Sequence, residues 1–341
     1  MRESMQQDAV LSKYIDGICR VFQLGNPLSA AVPASGGRLH HVWRLRTSEG
    51  EFALKLLNEN IMKKETALAA YERSEFVARS FSAQGVPAVT ALFLDGTCVK
   101  HLDGHAFMVF RWIEGQAHSV GTIDASRAAK MGEVLGTIHG IKLDADDFKY
   151  LGKAVDADQW TRILIDTKAA AKGHPVAARL DANARNLALW AEQACTVNEP
   201  LQRNLVLSHG DLDQHNVIWA NNSEPAIVDW EMVSLQNPSV ELLNLCLDWS
   251  GFPDRVPDKE AFIACIDAYR KLNAGRTQLE NFDTAANGEI AYFLRWLSYS
   301  LERISDASAE ENEIALTEAG NALRSLRLFD ECKSMIRSWF D

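Results

Sequence analysis

The sequence predicts an α+β fold in two lobes, a small lobe built on an antiparallel sheet and a large, mainly helical one. Three observations carry this. The chain has 341 residues, more than one hydrophobic core usually organises, so two lobes or domains are expected. Two strand-like runs flank an early turn, His41-Val42-Trp43-Arg44-Leu45 and Glu51-Phe52-Ala53-Leu54-Lys55-Leu56-Leu57 around Thr47-Ser48-Glu49-Gly50. From Ser126 onward, apolar residues recur mostly at helical spacing, and a single short hairpin pattern interrupts them.

Taken in order, Ser35-Gly36-Gly37 marks a tight turn ahead of the first strand. The second strand embeds one cation, Lys55, in an apolar run; such a lysine is ordinarily an edge residue reaching water. A charged, helix-favouring stretch from about Met62 to Gln84 follows, with Val77 and Phe81 on one face and Gly85-Val86-Pro87 as its stop. Ala106-Phe107-Met108-Val109-Phe110 then reads as a buried strand running into the connector Arg111-Trp112-Ile113. Ala128, Met131, Val134, Leu135 and Ile138 give a helix over Ser126 to Ile141, in which His139 is a packing or capping residue. Residues 142–204 form an Ala-rich, mostly helical insert containing Trp160 and Trp190. Past Asp229, helices are expected over 240–249, 260–272, 288–304 and 314–339.

The chemistry concentrates between residues 207 and 231. Val217-Ile218-Trp219 and Ala226-Ile227-Val228 are apolar and partly β-branched, and Asn221-Asn222-Ser223 between them is turn chemistry, so the two runs should pair as a hairpin. Pairing them brings Asn216 and Asp229 near one end. Both carry hard oxygen donors of the kind Mg²⁺ takes, one or two from protein and the rest from phosphate and water. Asp211 lies one loop away, placed to act as a base. Phosphoryl transfer asks little more of a protein, because the work is to position an acceptor hydroxyl and to neutralise phosphate charge. An Asp or Asn beside a turn is more often a cap, and it is the joint spacing between two apolar strands that favours the chemical reading.

The pattern His209-Gly210-Asp211, four residues, Asn216, then a hydrophobic strand ending in Asp229 resembles the aminoglycoside phosphotransferase and choline kinase branch of the protein-kinase-like fold. The resemblance implies Asp211 as catalytic base, Asn216 and Asp229 as metal ligands, and His209 as a structural loop residue. It implies Lys55 on the nucleotide phosphates, held by an acid about three turns before Gly85-Val86-Pro87, with Glu75 fitting best and Glu72 as the alternative. Gly36 and Gly37 would lie over the phosphates, and Arg111, Trp112 and Ile113 would form the hinge whose backbone binds the adenine. Residues 1–113, with an N-terminal helix, become the small nucleotide-binding lobe. Residues 114–341 become the large lobe, with the catalytic loop at 207–231 and a helical acceptor-binding subdomain at 142–204 and 240–341. Trp160, Asp248 and Trp249 are the acceptor-side candidates, since aromatic faces and acids suit polar, amine-bearing or sugar-like ligands.

The implied activity is transfer of the γ-phosphate of ATP, or of GTP, to a hydroxyl of a small molecule, with Mg²⁺. An aminoglycoside-like antibiotic is one acceptor class; choline, homoserine, a sugar or a vitamin is the metabolic alternative. A protein kinase should carry a Lys two residues after the base and Asp-Phe-Gly and Ala-Pro-Glu motifs. Asp213 takes the first place and the motifs are absent. A non-catalytic relative should have lost the base or a metal ligand, and neither is missing. The net charge of −11 and the lack of a dense basic patch argue against a nucleic-acid partner. The polar amino terminus and the lack of a long apolar run give no sign of a secretory signal or a membrane span, so a cytoplasmic enzyme is expected, of undetermined oligomeric state. Six scattered cysteines without a Cys-x-x-Cys read as reduced thiols.

Overall fold

The computed structural model describes residues 2–34, 40–119, 123–152, 154–156, 158, 160, 174–220, 224–305 and 309–341. In chain order the first elements are α1 (Arg2–Val21), β1 (Val32–Pro33), β2 (His41–Thr47), β3 (Gly50–Leu56), α2 (Glu59–Met62), α3 (Ala67–Ser82), β4 (Lys100–Leu102), β5 (His105–Arg111) and β6 (Gly115–Ala117). Next come α4 (Ala125–Gly140), α5 (Pro175–Ala182), α6 (Ala184–Cys195), β7 (Val206–Ser208), β8 (Val217–Ala220), β9 (Glu224–Ile227) and β10 (Ser234–Gln236). Then follow α7 (Pro238–Asp248), α8 (Lys259–Asn273), α9 (Phe282–Glu302) and α10 (Ala309–Phe340).

Two compact units result, Met1–His118 with Gln214–Val233, and Ser119–Asp213 with Ser234–Asp341. The sequence reading assigns residues 207–231 to the large lobe, whereas the structure groups 214–233 with the first unit. The reason is hydrogen bonding: β8 pairs antiparallel with β6, and Ile227 donates its N–H to the Pro87 carbonyl at 2.8 Å.

The first unit is organised by an antiparallel sheet of order β1-β2-β3-β5-β4. Alternation along a strand sends successive side chains to opposite faces. Phe52, Leu54 and Leu56 of β3 and Phe107 and Val109 of β5 join Leu11, Tyr14 and Ile18 of α1, and Phe22 just after it, in one core. Ala106 and Met108 of β5 face the other way, into a second core with Ala67 and Tyr71 of α3. Lys55, opposite Met108 in register, belongs to this second face. A cation there is buried, 8% exposed, so it is not the edge residue its sequence context suggests and must find acids.

The second unit is mainly helical. Asp124, Asn237, Asp258 and Asn281 cap α4, α7, α8 and α9 through their side chains, each satisfying backbone N–H groups that have no partner within the helix. These caps lie upstream of the first periodic apolar residue, which is why α7 and α9 begin earlier than the pattern predicts. Helices α4 and α8 approach closely, burying Met131, Leu135 and Ile138 against Phe262, Cys265 and Ile266, at roughly 1.5–3 kcal/mol per fully buried large side chain. Gly132 permits it: a Cβ there would lie 2.0 Å from the Cys265 carbonyl oxygen. Among the described residues no helix is long and apolar enough to cross a membrane.

Candidate active site

In the first unit, β8 and β9 form the expected hairpin, with Val217 opposite Ile227. Val228 donates its N–H to the Asn216 carbonyl at 2.9 Å, so Asn216 and Asp229 do meet at one end. Asp229 leaves the strand in the left-handed region, φ 62° and ψ 60°, a conformation that is sparse for residues with a Cβ and that Asp and Asn tolerate better than most. The turn that follows is pinned from below. Trp230 is buried, gives its indole N–H to the Ile227 carbonyl and stacks on Phe81 of α3.

Lys55 meets Asp229 Oδ1 at 3.0 Å and Glu231 Oε1 in a shorter contact. Burial favours the neutral amine, but the two carboxylates outweigh it and raise the Lys55 pKa. Burial likewise opposes charge on Glu231, yet a hydrogen bond from His40 and the Lys55 ammonium pull that carboxyl down to about 2.

The expected partner of Lys55 is therefore corrected. Glu75 makes no ion pair with it; its Oε2 accepts the Ala91 N–H at 2.8 Å, and burial pushes its carboxyl up to about 7. Glu72 accepts from the backbone N–H groups of Cys98 and Val99, so it too is committed elsewhere. Both acids tie α3 to neighbouring backbone, a demand that helical spacing does not reveal. Of the hinge residues, Arg111 closes β5 opposite Phe52 and Trp112 donates its N–H to the Glu51 carbonyl at 2.9 Å. Trp112, Ile113 and Glu114 form the non-helical connector to β6. Gly36 and Gly37 lie outside the described residues.

In the second unit, β7 leads into the loop that carries Asp211. His209 is fully buried and accepts the Asp211 N–H on Nδ1 at 3.3 Å, which supports its structural role. Gly210 has φ +77°, a value that strains any residue with a side chain. Its N–H donates to Glu241 Oε1 at 3.1 Å, and the Ser208 hydroxyl donates to the same oxygen at 2.8 Å. His139 Nε2 lies 2.8 Å from the other oxygen of Glu241, with Nδ1 2.9 Å from the Tyr269 hydroxyl. One carboxylate at the start of α7 thus holds the loop on both sides of His209, and His139 proves a packing residue with a specific partner. Replacing Glu241 with alanine removes the acceptor of three donors, two of them on the buried Ser208 and His139, and is expected to cost roughly 2–5 kcal/mol of stability. Chemical denaturation checks it: a loss below about 1 kcal/mol, the worth of one ordinary hydrogen bond, would show that the network does not sustain the loop.

Of the acceptor-side candidates, Trp249 is corrected. It is buried, and its indole N–H is bonded to the Leu212 carbonyl at 3.0 Å, so it buttresses the loop instead of presenting a face to a ligand. Trp160 is also buried. Asp248, at the end of α7, is partly buried; that burial, with Asp213, Glu289 and Asp211 nearby, pushes its carboxyl well above the ordinary range. Glu289, fully buried on α9 and bonded to Asn244, is likewise pushed up to about 7 by burial.

Sequence reading leaves the His40-His41 pair as structural or phosphate-facing and gives no role to Glu231, Glu241 or Tyr71. The available signals were an acid two residues after Asp229, an acid inside an apolar helix, and the His40-His41 pair. Their partners lie far away in sequence, up to 191 positions for His40 and Glu231.

The chain matches the family model described as the phosphotransferase enzyme family (APH) over residues 30–274. Among curated proteins none matches the sequence significantly. Similar solved structures include a spectinomycin phosphotransferase, APH(9)-Ia, in complex with ADP and spectinomycin, at 10% identity and TM-score 0.63, covering 89% of this chain and 94% of that one. The ethanolamine kinase of Plasmodium vivax is similar at 14% identity and TM-score 0.58, covering 91% and 87%. The choline kinase of Cryptosporidium parvum Iowa II is similar at 12% identity and TM-score 0.56, covering 96% and 99%. These likenesses bear on the fold, which is protein-kinase-like, with an antiparallel-sheet part and a mainly helical part. With the family match spanning most of its length, the chain belongs to the phosphotransferase enzyme family.

Proposed function

We propose that this protein transfers the γ-phosphate of ATP or GTP to a hydroxyl group of a small molecule in the cytoplasm. The observation that carries the reading is the buried Lys55 salt-bridged to Asp229 at the hairpin end shared with Asn216. Lys55 serves the nucleotide phosphates, and the Arg111 to Ile113 connector serves the base.

Asn216 and Asp229 fit Mg²⁺ by donor chemistry, two hard oxygens from one hairpin end with phosphate and water to complete the shell. Among the described residues no cluster of three or more His, Cys, Asp or Glu suits a metal held by protein alone, so the nucleotide must contribute ligands. When bound, the cation neutralises phosphate charge. Asp211 orients the acceptor hydroxyl and takes its proton, in a loop that Glu241 and His209 keep in shape.

The acceptor is a small hydroxylated molecule walled by the helices of residues 142–204 and 240–341. The crowding of Asp248 with Asp213, Glu289 and Asp211, which helps to raise its pKa, would be relieved by the positive charge of an amine-bearing acceptor. The spectinomycin, ethanolamine and choline in the names of the similar structures support both an antibiotic and a metabolic acceptor. A screen for ATP and GTP consumption over aminoglycosides, other antibiotics, amino alcohols, sugars and vitamins, with product masses determined, tests the proposal. Phosphate found on a protein side chain, or no Mg-dependent transfer to any hydroxyl, would overturn it.

A further inference from the structure

Two carboxylates hold Lys55, and they are built differently. Asp229 has a side chain 46% exposed and, in the phosphotransfer reading on which this inference rests, is the residue given over to the nucleotide-bound cation. Glu231 has a side chain only 21% exposed, and its second oxygen is anchored from behind. His40 Nε2 lies 3.1 Å from Glu231 Oε2, and the Tyr71 hydroxyl lies 3.0 Å from the same ring nitrogen and 3.5 Å from Oε2. The Asn58 backbone N–H donates to His40 Nδ1 at 3.0 Å, which leaves the ring proton on Nε2, pointing to the carboxylate. His40 is itself buried, 4% exposed. Glu231 cannot swing away without breaking these bonds, whereas among the described residues the Asp229 carboxylate is held only by Lys55.

We propose that Glu231, fixed by His40 and Tyr71, is the positioning carboxylate that holds Lys55 for the nucleotide phosphates, in the place that Glu75 was expected to fill. A lysine that serves phosphates needs a fixed acid beside it, because a flexible four-carbon stem otherwise samples many rotamers. Glu75 cannot take that role while its carboxylate accepts the Ala91 N–H and no ion pair joins it to Lys55. The Tyr71 and His40 side chains come from α3 and from the residue just before β2, so the holding acid is braced by both elements that flank the lysine strand.

The test uses the full chain. In the nucleotide-free protein, acylation of Lys55 by an amine-reactive ester is followed by peptide mass spectrometry, with the other lysines as internal controls. Glu231→Gln is expected to raise the labelling rate of Lys55 several-fold, and Glu75→Gln to leave it unchanged. Calorimetry with MgATP is expected to show about tenfold weaker binding for Glu231→Gln, the loss of one charge-assisted contact, with the Mg²⁺ dependence retained. Tyr71→Phe removes one brace and should shift both readouts in the same direction by less, which keeps the idea testable if Glu231→Gln folds poorly. A larger effect from Glu75→Gln, or no effect from either Glu231→Gln or Tyr71→Phe, overturns the assignment; so does loss of the Mg²⁺ dependence in Glu231→Gln, which would make Glu231 a metal ligand. Failure of MgATP to bind the wild-type protein at all would instead count against the phosphotransfer reading, since the labelling contrast is measured without nucleotide.

Discussion

Asp211→Ala is expected to lower turnover by about 10²–10⁴-fold, the range for a lost general base, while MgATP affinity changes by less than about twofold, because uniform ground-state binding of the nucleotide does not involve this residue. Asp211 sits in a loop whose conformation is over-determined. Gly210 adopts φ +77°, His209 accepts the Asp211 N–H, and Glu241 bonds Ser208 and Gly210. Those bonds use backbone and neighbouring side chains, so truncating Asp211 leaves the loop's supports in place. A drop in turnover can then be read as chemistry. Steady-state kinetics with the acceptor found by the screen, together with calorimetry of MgATP, decide it. A variant that keeps more than about a tenth of wild-type turnover has lost too little for a base, and Asp211 would be reassigned.

How far the sequence reached can be seen at Lys55 and at Asp211. The β2–β3 hairpin, the β8–β9 hairpin and the end shared by Asn216 and Asp229 were all legible, because strand alternation and turn residues are local signals. Helices α4, α7, α8 and α9 were legible for the same reason, to within their caps. The short strands β1, β4, β6, β7 and β10, of two or three residues each, are too brief to show a period, and pairing alone defines them. The partner of Lys55 was not legible. The resemblance offered Glu75 as the best fit with Glu72 as the alternative, and only the fold shows both turned to backbone N–H groups while Glu231 takes the lysine. Trp249 illustrates the same limit, since an aromatic residue beside an acid reads as a ligand face until its N–H is found on the Leu212 carbonyl. Local pattern specifies elements, and burial decides which polar groups are left to do chemistry.

Asp229→Asn is expected to weaken MgATP binding by at least about tenfold and to abolish most of its dependence on Mg²⁺, with turnover falling at least as far as in Asp211→Ala. Asparagine is the informative replacement. The left-handed backbone at this position, φ 62°, is tolerated by Asn, whereas alanine adds strain of order 1–2 kcal/mol that would blur a binding measurement with a folding one. The substitution removes one negative charge from a place where Lys55 already has Glu231, so the lysine keeps a partner and the buried ammonium is not orphaned. What is lost is the hard anionic oxygen that a divalent cation takes in preference to a neutral amide. Calorimetric titrations with ATP in the presence and absence of Mg²⁺ separate the two contributions. Binding without the metal should be nearly unchanged or slightly stronger, because a carboxylate near the phosphates repels them when no cation intervenes. Unchanged affinity with unchanged Mg²⁺ dependence would remove Asp229 from the metal site and leave it only as a partner of Lys55.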